Sequence, residues 1–180
     1  MNTQELLHRY QAQERNFEEL SLHQANLVGA NLQRINFTRT DLSGSDLNGA
    51  DLSGSCLKQA NLTDADLEKA NLVGANLVEV NLIGADLKEA NLAGADLTKA
   101  DLRCANLEGA NLTGANLTQV NLEGANLKGA NLSEAQIIGT DLNVADNVAE
   151  QWNSEPSSRE THLHGRSPNW VTWSGQKFSE

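Results

Sequence analysis

Every fifth residue from Phe17 to Leu142 is apolar, without a break. The run holds 26 such positions, 23 of them leucine, so this period decides what the chain can fold into. Two residues before each core position stands Ala in 17 units, and one residue before it stands Asn in 15 or Asp in 8. The unit reads Ala-(Asn/Asp)-Leu-x-x. An α-helix advances about 140° net per five residues, so the leucines would wind round its whole surface. A coiled coil needs apolar positions every 3.5 residues. A flat strand puts residues at odd spacing on opposite faces. The pattern works if the chain bends once per unit and every leucine points inward. The 12 glycines of this region all stand two residues after a core position, where a corner uses their freedom. The short Asn and Asp side chains suit the bend because they bond nearby backbone.

Charge patterning gives the number of units per coil. At the two positions after each core residue, a separation of 20 residues brings together seven opposite-charge pairs and no like pair. They are Glu19–Arg39, Glu68–Lys88, Lys88–Glu108, Glu108–Lys128, Lys69–Glu89, Glu79–Lys99 and Arg103–Glu123. A separation of 15 gives one opposite and three like pairs, and 25 gives one opposite and two like. Stacked opposite charges attract and like charges repel, so four units make a coil. Phe17 and Phe37 are also 20 apart, and Leu20, Thr40, Val80, Val120 and Thr140 fall in one column of the usual Ala position. Asn71, Asn91, Asn111 and Asn131 then stack as an amide ladder.

Ala-(Asn/Asp)-Leu-x-x in tandem resembles the pentapeptide-repeat family, over about 130 of the 180 residues. The opening, with Leu6, Leu7, Tyr10, Arg15 and Phe17, is similar to the N-terminal segment of cyanobacterial members. The resemblance implies an all-β solenoid, a right-handed quadrilateral β-helix with the Leu and Ala positions inward. With 26 units it has about 6.5 four-sided coils. It also implies little about activity: one group of members mimics B-form DNA and acts on DNA gyrase, and another member is linked to heterocyst regulation. Many gyrase-binding members carry Phe where this chain has Leu.

The expected organisation is an N-terminal capping α-helix within 1–14, the β-helix over 15–146 and a polar tail over 147–180. Open coil ends expose unpaired strand edges, so caps are needed. Residues 3–14 read as the helix, with Asn2 as N-cap, Glu5 three residues on, and Leu6, Leu7 and Tyr10 as one apolar stripe. The tail has no period, is rich in polar residues and is expected to be mostly disordered. Ile138, Val144, Val148 and Trp152 are candidate dimer or cap contacts. The stretch 169–173 reads as a docked cap or a short linear motif.

The chemistry-bearing residues are few. With 24 acidic and 13 basic residues, net charge −11, the chain lacks the positive surface that direct nucleic-acid or anionic-membrane binding needs. Two cysteines, Cys56 and Cys104, in different registers fit a reducing, cytoplasmic setting. The start lacks a signal-peptide pattern. Of the histidines only His23 lies in the repeats, and the register gives it no acidic or thiol partner. No catalytic, metal or cofactor-binding residue is therefore expected. The expected function is a non-enzymatic scaffold for a protein partner, as a monomer or end-to-end homodimer. Val73, Val78 and Ile83, outward on three successive sides of one coil, are the candidate partner-binding girdle. The alternative is an acidic DNA mimic acting on gyrase or another topoisomerase, with Asp46, Asp66 and Asp86 as one acidic column. The column is set against a nearly neutral balance of nine acids and eight bases at the two positions after the core.

Overall fold

A computed structural model describes residues 1–148. It contains one helix, α1 (Thr3–Gln11), followed by a winding backbone in which residues 20 apart form parallel bridges. The bridges run from Asn16↔Asn36 to Asn116↔Gln136, with a last one at Asn126↔Asp146. Each coil therefore holds four five-residue units. We name the four sides by their first core residues: side one (Phe17), two (Leu22), three (Leu27) and four (Leu32).

The expected strands are reduced to single bridging residues, all at the Asn/Asp position. Most of each unit is spent on turning, which leaves no room for an extended run. The unit around Leu67 shows how the turn is built. Ala70 N–H donates to the Leu67 carbonyl at 3.0 Å, closing a turn in which Lys69 has φ +57°. The 12 glycines occupy that same position at φ between +61° and +70°, as a turn with positive φ at its third residue requires. At Gly84 a Cβ would also meet the Asp64 carboxylate, which would have to swing aside.

The core is a tube of stacked side chains. From Leu22 to Leu127 the core leucines are at most 3% exposed, and the alanines beside them are buried as well, apart from the partly buried Ala30. Phe17 and Phe37 stack in adjacent coils with ring centroids 6.3 Å apart. The larger residues of side two have specific work. Thr40 Oγ1 donates to the Phe17 carbonyl at 2.7 Å. Thr140 Oγ1 donates to the Leu117 carbonyl and accepts from Val120 N–H at 2.9 Å, so it sits inside a widened turn of the coil below.

The helix is shorter than the expected 3–14. Asn2 caps it, with Oδ1 accepting from Glu5 N–H at 2.8 Å. It ends at Gln11, because the chain must reverse into the first coil: Ala12 N–H bonds back to the His8 carbonyl, and Gln13, at φ +71°, bonds back to the Tyr10 carbonyl. Leu6 is fully buried against the first coil. Tyr10 hydroxyl donates to the Gln33 carbonyl on the coil edge at 3.0 Å.

The far end is less regular. The unit at Leu142 becomes a 3₁₀ turn (Leu142–Val144), capped by Asp141, and Gly124 N–H bonds Val144 rather than the residue before it. The expected run of equal units therefore slips by one residue there. Residues 149–180 lie outside the described part of the chain, as do the expectations for Trp152, for the stretch 169–173 and for tail disorder.

Candidate interaction surface

The outward side chains decide what the rod can do. The Asn/Asp position is half occupied with internal work. From Asn26 to Asp141, every Asn or Asp at this position accepts the N–H two residues on through Oδ1, as in Asp66 with Glu68 (2.9 Å) and Asn111 with Thr113 (3.1 Å). Some also join coils: Asn111 Nδ2 donates to Asn91 Oδ1 at 3.0 Å and Asn106 Nδ2 to Asp86 Oδ1 at 3.0 Å. The amide ladder expected at 71, 91, 111 and 131 keeps its register throughout, and its hydrogen bond forms between 91 and 111.

The expected charge ladder is only partly drawn together. Arg39–Glu19 (2.5 Å), Lys128–Glu108 (3.5 Å) and Lys69–Glu89 (4.0 Å) are close pairs between coils. Among the described residues Lys88 forms an ion pair with neither Glu68 nor Glu108, a correction to the continuous ladder. Lys69 takes Glu68 instead at 2.6 Å, and Arg103 turns to Asp101 at 2.7 Å. Long side chains reach neighbours in their own unit as easily as those in the next coil. Lys69 above all, and Lys88 more weakly, hold the Glu68 carboxyl below the usual carboxylate range.

His23 also departs from expectation. Its Nδ1 lies 2.9 Å from Ser43 Oγ, which donates to Asp41 Oδ1 at 2.7 Å. Asp41 Oδ1 also accepts Ser43 N–H and Asn61 Nδ2, each at 3.1 Å. These bonds, the serine hydroxyl first, hold the Asp41 carboxyl low against the opposing effect of partial burial. The hydroxyl of Ser43 is turned to the Asp41 carboxylate. With the serine proton on the carboxylate side, the serine oxygen faces the imidazole and joins His23 to Asp41. The cluster latches adjacent coils together. Among the described residues no group of three His, Cys, Asp or Glu is placed to hold a metal, and no helix is long and apolar enough to cross a membrane.

The girdle is not one patch. Val73 is 39% exposed, but Val78 and Ile83 are half-buried. They stand on three different sides, four, one and two, so no flat partner meets all of them. The stronger feature is side four. Its residues 70–74, 90–94 and 110–114 carry no charged side chain through three successive coils. On each other side a charge interrupts any three successive coils of the described residues. Val73, Ala93 and Thr113 run up the middle of side four, beside Gly74, Gly94 and Gly114. Beyond them Ile138 (56% exposed) and Val144 (43%) mark the C-terminal end, and Val148 packs partly against the core. Sequence periodicity had the registers for side four, but reading residues along the chain rather than around the coil hides it.

The pentapeptide-repeat profile matches in overlapping blocks over residues 16–54, 45–82, 55–92, 75–114 and 110–146. The chain belongs to the pentapeptide-repeat family. The fold is accordingly that family's right-handed β-helix solenoid. Among solved structures, pentapeptide-repeat protein Rfr23 from the cyanobacterium Cyanothece 51142 is 31% identical, over 76% of this chain and 97% of that one, with TM-score 0.38. HetL, a pentapeptide-repeat protein involved in heterocyst differentiation regulation in Nostoc sp. strain PCC 7120, is 27% identical, over 81% of this chain and 96% of that one, with TM-score 0.36. No curated protein matches the sequence.

Proposed function

We propose that this pentapeptide-repeat protein is a non-enzymatic scaffold, a four-sided rod of about six and a half coils that α1 closes at its N-terminal end. Its binding face is side four, around Val73, Ala93 and Thr113. The observation that carries this reading is the uncharged strip on an otherwise charged rod. Docking on side four removes no ion from water, whereas burying unpaired charges elsewhere would cost several kcal/mol each. Its short side chains also lose little rotamer freedom on binding. The partner is a protein with a flat, uncharged surface.

Affinity capture from a native lysate tests it, comparing the parent with Ala93→Arg on side four and Thr118→Arg on side one. A protein retained by the parent and Thr118→Arg but lost with Ala93→Arg supports the reading. Retention by all three, or no retained protein, contradicts it.

The DNA-mimic alternative is favoured by one observation: Asp46, Asp66 and Asp86 are bridged neighbours in a column. Against it, their Oδ1 atoms accept the N–H groups of Asn48, Glu68 and Lys88, and Lys69 and Lys88 stand among them on the same side. A gyrase supercoiling assay at high molar excess of the protein is expected to show no effect.

A further inference from the structure

At the N-terminal end α1 closes the mouth of the tube but leaves part of its rim open. Leu27 and Leu32 are at most 1% exposed, so the core there is covered. The backbone beside them is not. From Asn36 to Gln136 the N–H at the Asn/Asp position donates to a carbonyl of the preceding coil. The N–H groups of Asn26 and Asn31, and the carbonyls of Asn26, Val28 and Asn31, make no hydrogen bond among the described residues. The residues 20 positions before these three are Leu6, His8 and Gln11, and all of them belong to α1, so no coil lies beneath this stretch. The Gln33 carbonyl next to it is reached by the Tyr10 hydroxyl at 3.0 Å. Between this rim and α1 lies a cleft of about 430 Å³, walled by Leu7, Tyr10 and Gln11 of the helix and by residues of the stretch 26–31, none of them charged. Val28 stands in it 52% exposed, and Leu7 and Ala30 are half-buried. An unbonded edge beside exposed apolar side chains is a template for another strand.

We propose that this cleft takes an extended segment of a partner protein, apolar and cationic, which adds to the rim as one further strand. One coil on, Asp46 turns both its N–H and its carbonyl toward the preceding coil, to the Ala25 carbonyl at 2.9 Å and the Leu27 N–H at 2.7 Å. Asn26 holds the same place in the unit and offers the same two groups to the cleft, as a residue does when it exchanges a pair of hydrogen bonds with a neighbouring strand. An apolar side chain of the segment covers Val28 and Leu7, which removes their surface from water. Charge sets the rest of its chemistry. The rim offers three open carbonyls against two open N–H groups, on a chain of net charge −11. Asp46, bridged to Asn26, is the one charged residue of 25–29 and 45–49, and it forms no ion pair among the described residues. A Lys or Arg beside the apolar residue meets it from the rim. A second copy meeting this end with the same rim would oppose carbonyl excess to carbonyl excess and Asp46 to Asp46. The cleft is separate from the strip at Val73, Ala93 and Thr113 and is tested separately from it.

The test pans a random hexapeptide phage library against the full chain. The expected outcome is enrichment of peptides with Lys or Arg beside Val, Ile or Leu. Val28→Arg, at an exposed position, fills the cleft without touching the core and should weaken the binding of those peptides about tenfold or more. Val73→Arg, on side four, should leave it unchanged. Amide hydrogen exchange followed by NMR then reads the rim itself. The Asn26 and Asn31 amides should exchange fast in the free chain and about tenfold or more slowly with the best peptide at saturation. No enrichment, or enrichment of acidic peptides, would overturn the proposal. So would equal binding to Val28→Arg, weakening by Val73→Arg, or amides left unprotected with the peptide bound. Slow exchange at both amides in the free chain would overturn it too: if lost on dilution it would assign the rim to a second copy, and if kept, to residues of the same chain.

Discussion

A solenoid bonds coil to coil along its axis, and an N–H that turns off that axis loses its neighbour. In the unit around Leu67 four N–H groups find backbone carbonyls: Ala65 on Leu62, Asp66 on Ser45, Leu67 on Asp86 and Lys69 on Lys88. The fifth, Glu68 N–H, bonds Asp66 Oδ1. This explains why Asn and Asp alternate freely before the core residue, since both offer the same oxygen at the same reach. Ser21, Cys56 and Gln136 do not, and the N–H groups of His23, Lys58 and Ile138 make no such bond among the described residues. The buried Ala column sets the opposite demand, for a side chain with nothing to bond. Ser45 and Ser55 break it, being 1% exposed with hydroxyls that have no partner among the described residues. An unsatisfied buried hydroxyl costs about 1–3 kcal/mol. Ser55→Ala should therefore raise stability by about 1 kcal/mol in urea unfolding, while Thr40→Val, which removes a made bond to Phe17, should lower it by about 1 kcal/mol. The same sign for both would contradict this distinction. The latch of His23, Ser43 and Asp41 and the inserted Thr140 were not legible in the sequence. They depend on rotamers, and a repeat pattern specifies columns rather than rotamers.

At the scale of elements, the helix and the coil show how much the pattern carries. The apolar stripe and the Asn2 cap locate the start of α1 well. Its end was read too late because nothing in 12–14 breaks a helix by composition; tertiary closure onto the first coil does. The helix holds the rod through Leu6, which is fully buried. Leu6→Ala should cost about 2–5 kcal/mol, as for other buried leucines, and should speed amide hydrogen exchange at Phe17 and Leu22 while leaving Leu92 protected. A loss below about 1 kcal/mol with first-coil protection unchanged would show that α1 is no part of the closed end. The last unit is the converse case. Leu142 keeps the five-residue spacing, yet its backbone forms a 3₁₀ turn, because spacing fixes which residue faces inward and not the hydrogen bonds of the turn.

For the whole molecule, one register relation organises the core, the Asn/Asp bonds and the uncharged side: residues 20 apart are neighbours. Opposite charges revealed that relation more clearly than they populate it, since Lys88 stands in register yet forms no ion pair among the described residues. Spacing of charge in a sequence records which columns meet, while the flexible ends of Lys and Glu choose among several acceptors. Spin labels at Ser53→Cys and Ser133→Cys, with Cys56 and Cys104 replaced by serine, measure the relation directly. These sites lie 80 residues apart on side four. With four units per coil and about 4.8 Å between coils, their backbones are about 19 Å apart. Three units per coil would place them about 26 Å apart. A narrow distribution near the shorter distance is the predicted result; one centred near the longer distance would contradict the fold and everything built on it.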